Sequence, residues 1–315
     1  MNRFETVVFF SMLLFSLTVL TSATEHGERY DGCIVGEEDF CDRDTHQREY
    51  GERFVEVREV SEDRMEMESK LVNTTDNIED KFQIYVDTNN TLEITLRYKE
   101  ENLSADEKDI AEASITFDRL IEYRDVNGNG EIERGEVVTH NRIERYQPID
   151  LTKYTEDNAT IHRMTATTLD ETFKVAFYAT GDFANLGSTV VTPSDMKFDV
   201  TINEYDYENT NTSLALGAVI DADTEWQDGA VIFGGGGKYD TVLSWKDTAE
   251  VEGEERTVNV STFGNKIAMS YGKQVENVFH DPKVGFRPSK DTGLIRSIIN
   301  VFKSAGRTLI STLPF

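Results

Sequence analysis

Cysteine is nearly missing from this sequence. Only Cys33 and Cys41 occur, too few for a disulfide framework, so the fold is not expected to depend on cross-links. In an oxidising compartment the two are expected to pair and close a small loop. Only two Cys among acidic neighbours make a poor zinc site. Positive charge is short as well: 32 Lys and Arg stand against 59 Asp and Glu, a net charge of −27. Such a chain repels nucleic acid and anionic lipid and attracts cations and basic surfaces. Beyond residue 20 no apolar run approaches the roughly 20 residues that a membrane span needs. No internal repeat and no long Pro/Gly/Ser stretch divides the chain, which favours one large unit over two.

Catalytic signatures are absent too. His26, His46, His140, His162 and His280 show no HExxH spacing, and no GxSxG serine occurs. A paired Cys33 and Cys41 leave no thiol nucleophile. Two carboxylates can support glycoside hydrolysis on a β-sandwich, but among 59 acids no pair stands out. An enzyme is not the expectation.

What is present begins with a secretory signature. Arg3 precedes the apolar run Val7–Leu20, and Thr21, Ser22 and Ala23 supply small residues for cleavage, so residues 1–23 have the form of a signal peptide. Six N-x-S/T sequons follow, at Asn73, Asn89, Asn102, Asn158, Asn211 and Asn259, each a candidate glycan site on a secreted chain. Residues 24–51 read as an acidic arm holding the Cys33–Cys41 loop, 52–290 as a β-rich domain, and 291–315 as a basic amphipathic tail. From Lys283 onward there are six Lys or Arg and one acid, and Leu294, Ile295, Ile298, Ile299 and Phe302 recur at helical spacing. This predicts a short helix packed on the domain, with a membrane surface or a partner as the other uses of such a stripe.

From Arg53 the texture is one of short runs that alternate apolar with polar residues. Phe54–Val57, Phe82–Val86, Leu92–Leu96, Phe173–Phe177, Met196–Ile202, Val231–Phe233 and Thr257–Ser261 all have the two-residue period of half-buried strands. Thr88–Thr91 and Asp182–Gly187 read as turns between them. The expected fold is mainly β, an antiparallel β-sandwich or jelly-roll-like body. Gly234–Gly237 lacks the GKS/T ending of a phosphate loop and reads as a flexible turn, and His280-Asp281-Pro282 reads as another turn.

The strongest chemical signal is the twelve-residue stretch Asp125-Val126-Asn127-Gly128-Asn129-Gly130-Glu131-Ile132-Glu133-Arg134-Gly135-Glu136. It fits an EF-hand calcium loop at each diagnostic position. Asp125, Asn127 and Asn129 offer alternate side-chain oxygens, and Gly130 permits the sharp turn. Glu131 contributes its backbone carbonyl, Ile132 anchors the loop on the body, Glu133 acts through a water, and Glu136 chelates with both oxygens. A hard cation taking six to eight oxygens suits this set, so Ca2+ is the expected ligand. The entering segment Ile115–Tyr123 fits helix or strand, and no second loop of this quality forms the usual EF-hand pair. Asp221-Ala222-Asp223-Thr224-Glu225 lacks the central glycine and is a weak cation candidate.

With the signal peptide, the acid-rich body, the loop Asp125–Glu136 and strings such as Ser244-Trp245-Lys246-Asp247-Thr248-Ala249 and His280-Asp281-Pro282-Lys283-Val284-Gly285, the chain resembles the acidic skeletal organic matrix proteins of stony corals. That resemblance implies secretion into an extracellular matrix and a part in mineral deposition, with calcium ions, calcium carbonate, and other matrix proteins or glycans as partners. Many acidic matrix proteins carry long Asp runs, and none occurs here, so templating of crystals by an Asp tract is not expected. The competing expectation is a calcium-dependent extracellular module recognising glycan or protein.

Overall fold

The computed structural model describes residues 53–289, apart from 74–77, 103–107, 134, 157–158, 182–183, 188, 228 and 237–238. The expected signal peptide, acidic arm, Cys33–Cys41 pair, sequon Asn158 and C-terminal helix lie outside the described residues.

Among those residues the structure is β throughout, with no helix. Strands β1 (Arg53–Ser61), β2 (Arg64–Asn73), β3 (Ile78–Asp87), β4 (Leu92–Asn102) and β5 (Lys108–Tyr123) form an antiparallel meander. The first half of β5 pairs with β4. Where β4 ends, β6 (Val137–Arg142) returns along the second half. Then β7 (Asp150–Glu156), β8 (Ala159–Thr167) and β9 (Phe173–Thr180) lead into a second sheet, with a small separate hairpin of β10 (Ala184–Leu186) and β11 (Thr189–Val191) before its central strand β12 (Asp195–Ile202). β13 (Ser213–Asp221) crosses back to pair with the far edge of β5.

The second sheet continues with β14 (Thr224–Gln227), β15 (Ala230–Gly236), β16 (Tyr239–Ser244), β17 (Thr248–Val251) and β18 (Glu254–Thr257). β19 (Asn259–Phe263) and β20 (Lys266–Lys273) extend the first sheet beyond β13. β21 (Val278–His280) and β22 (Lys283–Pro288) share the edge of β12 opposite β9. The first sheet has nine strands and the second eleven.

Alternation decides which faces meet. Phe82, Ile84 and Val86 of β3, Leu92, Ile94, Leu96 and Tyr98 of β4, and Met196, Phe198, Val200 and Ile202 of β12 are buried in one continuous core. Rings from the two sheets touch directly. Phe82 stands edge-on to Tyr239 at 4.8 Å and lies 5.1 Å from Phe286, and Phe117 meets Phe198 at 5.7 Å. Each such side chain, fully buried, contributes roughly 1.5–3 kcal/mol. The two antiparallel sheets therefore pack face to face as a sandwich, and the first five strands are a meander where a jelly roll would show Greek keys.

Most of the alternating runs fall inside strands, and the departures have local causes. Ile115–Tyr123 is strand, part of β5, because Ile115 and Phe117 face the core two residues apart. The run Thr257–Ser261 is broken at Val258, whose buried side chain lies between β18 and β19. Asp182–Gly187 carries the short strand β10. The glycine run is not simply a turn. Gly234 to Gly236 belong to β15, with a shift of register against β16. Gly234 has φ +58° and lies hard against the Ala113 side chain of the other sheet, so any Cβ there would collide. His280 ends a strand and is buried.

Candidate metal centre

The loop 125–136 is the connection of a β-hairpin, carried by strands where an EF-hand has helices. Tyr123 pairs with Val137 across β5 and β6, and the neck is closed by the Arg124 amide donating to the Glu136 carbonyl at 2.9 Å. The local sequence explains its curl. Asp125 Oδ1 accepts from the amides of Gly128 and Asn129 at 2.7 and 3.1 Å, and Oδ2 from that of Gly130 at 2.9 Å. Asn127 Oδ1 accepts from the Asn129 amide, and Asn129 Oδ1 from the Glu131 amide. Glu136 reaches back across the loop, accepting from the Val126 amide at 3.0 Å and the Glu133 amide at 2.9 Å. Short polar side chains that bond their own downstream amides are what such turns require.

Lone-pair arithmetic tests the fit to a cation. An ionised carboxylate has about four acceptor positions and an amide oxygen two. Against the bonds just given, one position remains on Asp125, one each on Asn127 and Asn129, and two on Glu136. With the Glu131 carbonyl this makes about six oxygens, the lower end of calcium's range. Glu133 Oε1 accepts from the side-chain amides of Asn127 (2.7 Å) and Asn129 (3.3 Å), which places it beside both. Among the described residues no three Asp, Glu, His or Cys side chains gather into a metal cluster. The inner set has only two carboxylates, and a low charge count goes with weak binding.

The loop is docked on the outer face of the first sheet. Ile132 is buried against Tyr123, Ala215 and Ala268, with Ile121 beside them. Its amide donates to Ser261 Oγ at 2.7 Å. The Tyr123 hydroxyl donates to the Gly130 carbonyl at 3.0 Å and shares a hydrogen bond with Ser270. Burial pushes the Tyr123 phenol above its usual pKa, with the charges of Asp125 and Glu136 adding to it. Gly130 has φ +76°, a conformation that strains any residue with a Cβ, and it lies against the Asn259 side-chain amide. Tyr123 and Ser270 carry no motif, and the sequon that contains Ser261 gives no sign of the loop. All three reach the loop through strand register, which local spacing does not encode.

This docking separates the sequons. Asn89 and Asn211 lie exposed in turns. The Asn259 amide faces Gly130, and Ser261 of the same sequon is buried under the Ile132 amide. A sugar on Asn259 and the docked loop therefore compete for the same space.

One residue before Tyr123, Glu122 is completely buried. Its carboxylate accepts from the amides of Glu208 (2.8 Å) and Asn209 (3.1 Å), the Thr212 hydroxyl (3.0 Å), the Tyr205 hydroxyl (3.3 Å) and the Asn209 side chain (3.4 Å). It pins the 203–212 segment beside the hairpin that carries the loop. The acidic segment 221–225 joins β13 to β14 with Asp221, Asp223 and Glu225 all exposed. No protein-family model matches the chain, and no curated protein matches it.

Proposed function

We propose that the protein is a secreted, calcium-binding component of an extracellular, calcified matrix, with loop 125–136 as its specific calcium site. What supports the calcium reading is that Asp125 and Glu136, from the two ends of the loop, bond its own amides and still leave acceptor positions that add up to about six with Asn127, Asn129 and the Glu131 carbonyl. Asp125, Asn127, Asn129 and Glu136 hold the ion by side chains and Glu131 by its carbonyl, with Glu133 reaching it through water. The ion supplies positive charge that ties the two ends of the loop together. The weak affinity expected of two inner carboxylates, roughly 10⁻⁴ to 10⁻³ M as in extracellular modules, suits a millimolar calcium environment.

The matrix role rests on the net charge of −27 and on the resemblance to skeletal matrix proteins. A rigid sandwich with scattered acids concentrates calcium at its surface without needing an Asp tract. Adsorption to calcite powder from saturated solution tests it. The wild type is expected to bind, and Glu136→Gln to bind equally, because the mineral contact is the whole acidic surface. Failure of the wild type to adsorb removes the mineral role. The alternative, a calcium-dependent recognition module, is favoured instead if the protein ignores calcite but retains a glycan or protein in a manner abolished by EDTA.

A further inference from the structure

The outer face of the second sheet carries a groove that the calcium reading does not use. Along β12, Met196, Phe198 and Val200 face the core, which turns Lys197 and Asp199 outward. Tyr178 of β9 pairs with Lys197, and Phe279 of β21 sits opposite Thr201. The β10–β11 hairpin stands on one side through Leu186 and Gly187, and the β17–β18 hairpin on the other through Thr248 and Glu250. Between them lies an open trough of about 580 Å³, inside the usual range of roughly 300–1,000 Å³ for small-molecule sites.

Its floor is a charge network held largely out of water. Lys197, only 5% exposed, is bonded to Asp199 and lies 3.9 Å from Asp281. Asp281 accepts from Lys246 at 2.6 Å and from the Thr189 hydroxyl at 3.3 Å. Lys197 also stands 5.3 Å over the Tyr178 ring. Burial and the Asp199 charge push the Tyr178 phenol up to about 12, so it remains a hydrogen-bond donor at neutral pH. Buried ion pairs cost desolvation that a stable sheet does not need. Above this floor Tyr154 and Phe279 present rings that are 37% and 40% exposed.

The lining selects a ligand class. Acids of the floor and rim, with Glu250 directly opposite Glu255, repel an anion. The floor aspartates Asp199 and Asp281 are already matched by Lys197 and Lys246, which leaves the floor near neutral and gives a cation little to replace. Lysine and tyrosine donors and carboxylate acceptors line the trough together with the exposed aromatic side chains of Tyr154 and Phe279. A neutral ligand dense in hydroxyls, each able to donate and accept, and with an apolar C–H face to lay on a ring, satisfies all of these. The geometry points to a binding groove for a neutral oligosaccharide, independent of calcium because no lining residue belongs to loop 125–136.

The test uses the full chain, enzymatically deglycosylated so that its own sequons supply no sugar. Immobilised tetrasaccharides of glucose, N-acetylglucosamine, mannose and galactose are the probes, with heparin and oligolysine as charged controls. At least one neutral probe is expected to bind. That binding should weaken roughly tenfold in Phe279→Ala and in Tyr154→Ala, and should be indifferent to EDTA, to Glu136→Gln and to added salt. Both aromatics are exposed, so unchanged unfolding midpoints confirm that the variants fold. No neutral binding, binding to heparin or oligolysine alone, or neutral binding unaltered by both substitutions overturns the proposal. Loss of calcium binding in Glu136→Gln with sugar binding intact separates this site from the calcium loop.

Discussion

Glu122→Ala is expected to lower the unfolding free energy by about 3–5 kcal/mol. The residue is fully buried, and its two oxygens take five hydrogen bonds, all from the 203–212 segment. Truncation strands the backbone amides of Glu208 and Asn209, and each buried orphan costs about 1–3 kcal/mol, whereas the Thr212 hydroxyl keeps the Asn209 carbonyl as an acceptor at 2.8 Å. Glu122→Gln keeps the shape but replaces an acceptor by an amino group facing N–H donors, so it should recover little. Urea unfolding of the three proteins measures this. A Gln variant within about 1 kcal/mol of wild type would contradict the charge-assisted anchoring, since neutral and charged acceptors would then be equivalent.

Stability should also fall as pH drops from about 6.5 to about 4, by about 3 kcal/mol through His280 alone. Burial lowers the pKa of this imidazole to about 4. Nε2 donates to the Lys246 carbonyl at 3.1 Å, and Nδ1 accepts from the buried Tyr271 hydroxyl at 3.4 Å, which defines a neutral ring. The charges of Asp281 and Lys246 act on it in opposite directions. In the unfolded chain His280 takes a proton near its ordinary pKa of about 6.5. Between the two values the unfolded state therefore binds more protons, and stability is lost as pH falls. Below about 4 the native ring is protonated too and the loss levels off. Unfolding curves at several pH values, beside His280→Gln, isolate the contribution. Parallel pH profiles for the two proteins would refute it.

The parts of the molecule legible from sequence are those written in local spacing. Alternation placed Phe82–Val86, Leu92–Leu96 and Met196–Ile202 in strands, because a sheet with one buried face imposes a period of two. The loop residues Asp125 to Glu136 are recognisable because a twelve-residue turn is built from its own side chains. Long-range register is different. Ser261 and Ser270 come to the loop from β19 and β20 across β13, and the groove combines β7, β9, β12 and β21. Nothing near Lys197 or Phe279 in the chain signals that they share a surface. Glu122 was one acid among 59 until the fold buried it. Ile115–Tyr123 could not be assigned by pattern because a β-bulge between β5 and β13 interrupts its alternation.

Loop 125–136 is proposed as one specific calcium site on an otherwise diffusely acidic body. Calorimetric titration of calcium into the full chain in physiological salt, beside Glu136→Gln, tests it most directly. One site with a dissociation constant of roughly 10⁻⁴ to 10⁻³ M is expected in the wild type, absent from the variant, over a weak background common to both. Identical binding by the two proteins would contradict it and leave calcium held by surface charge alone.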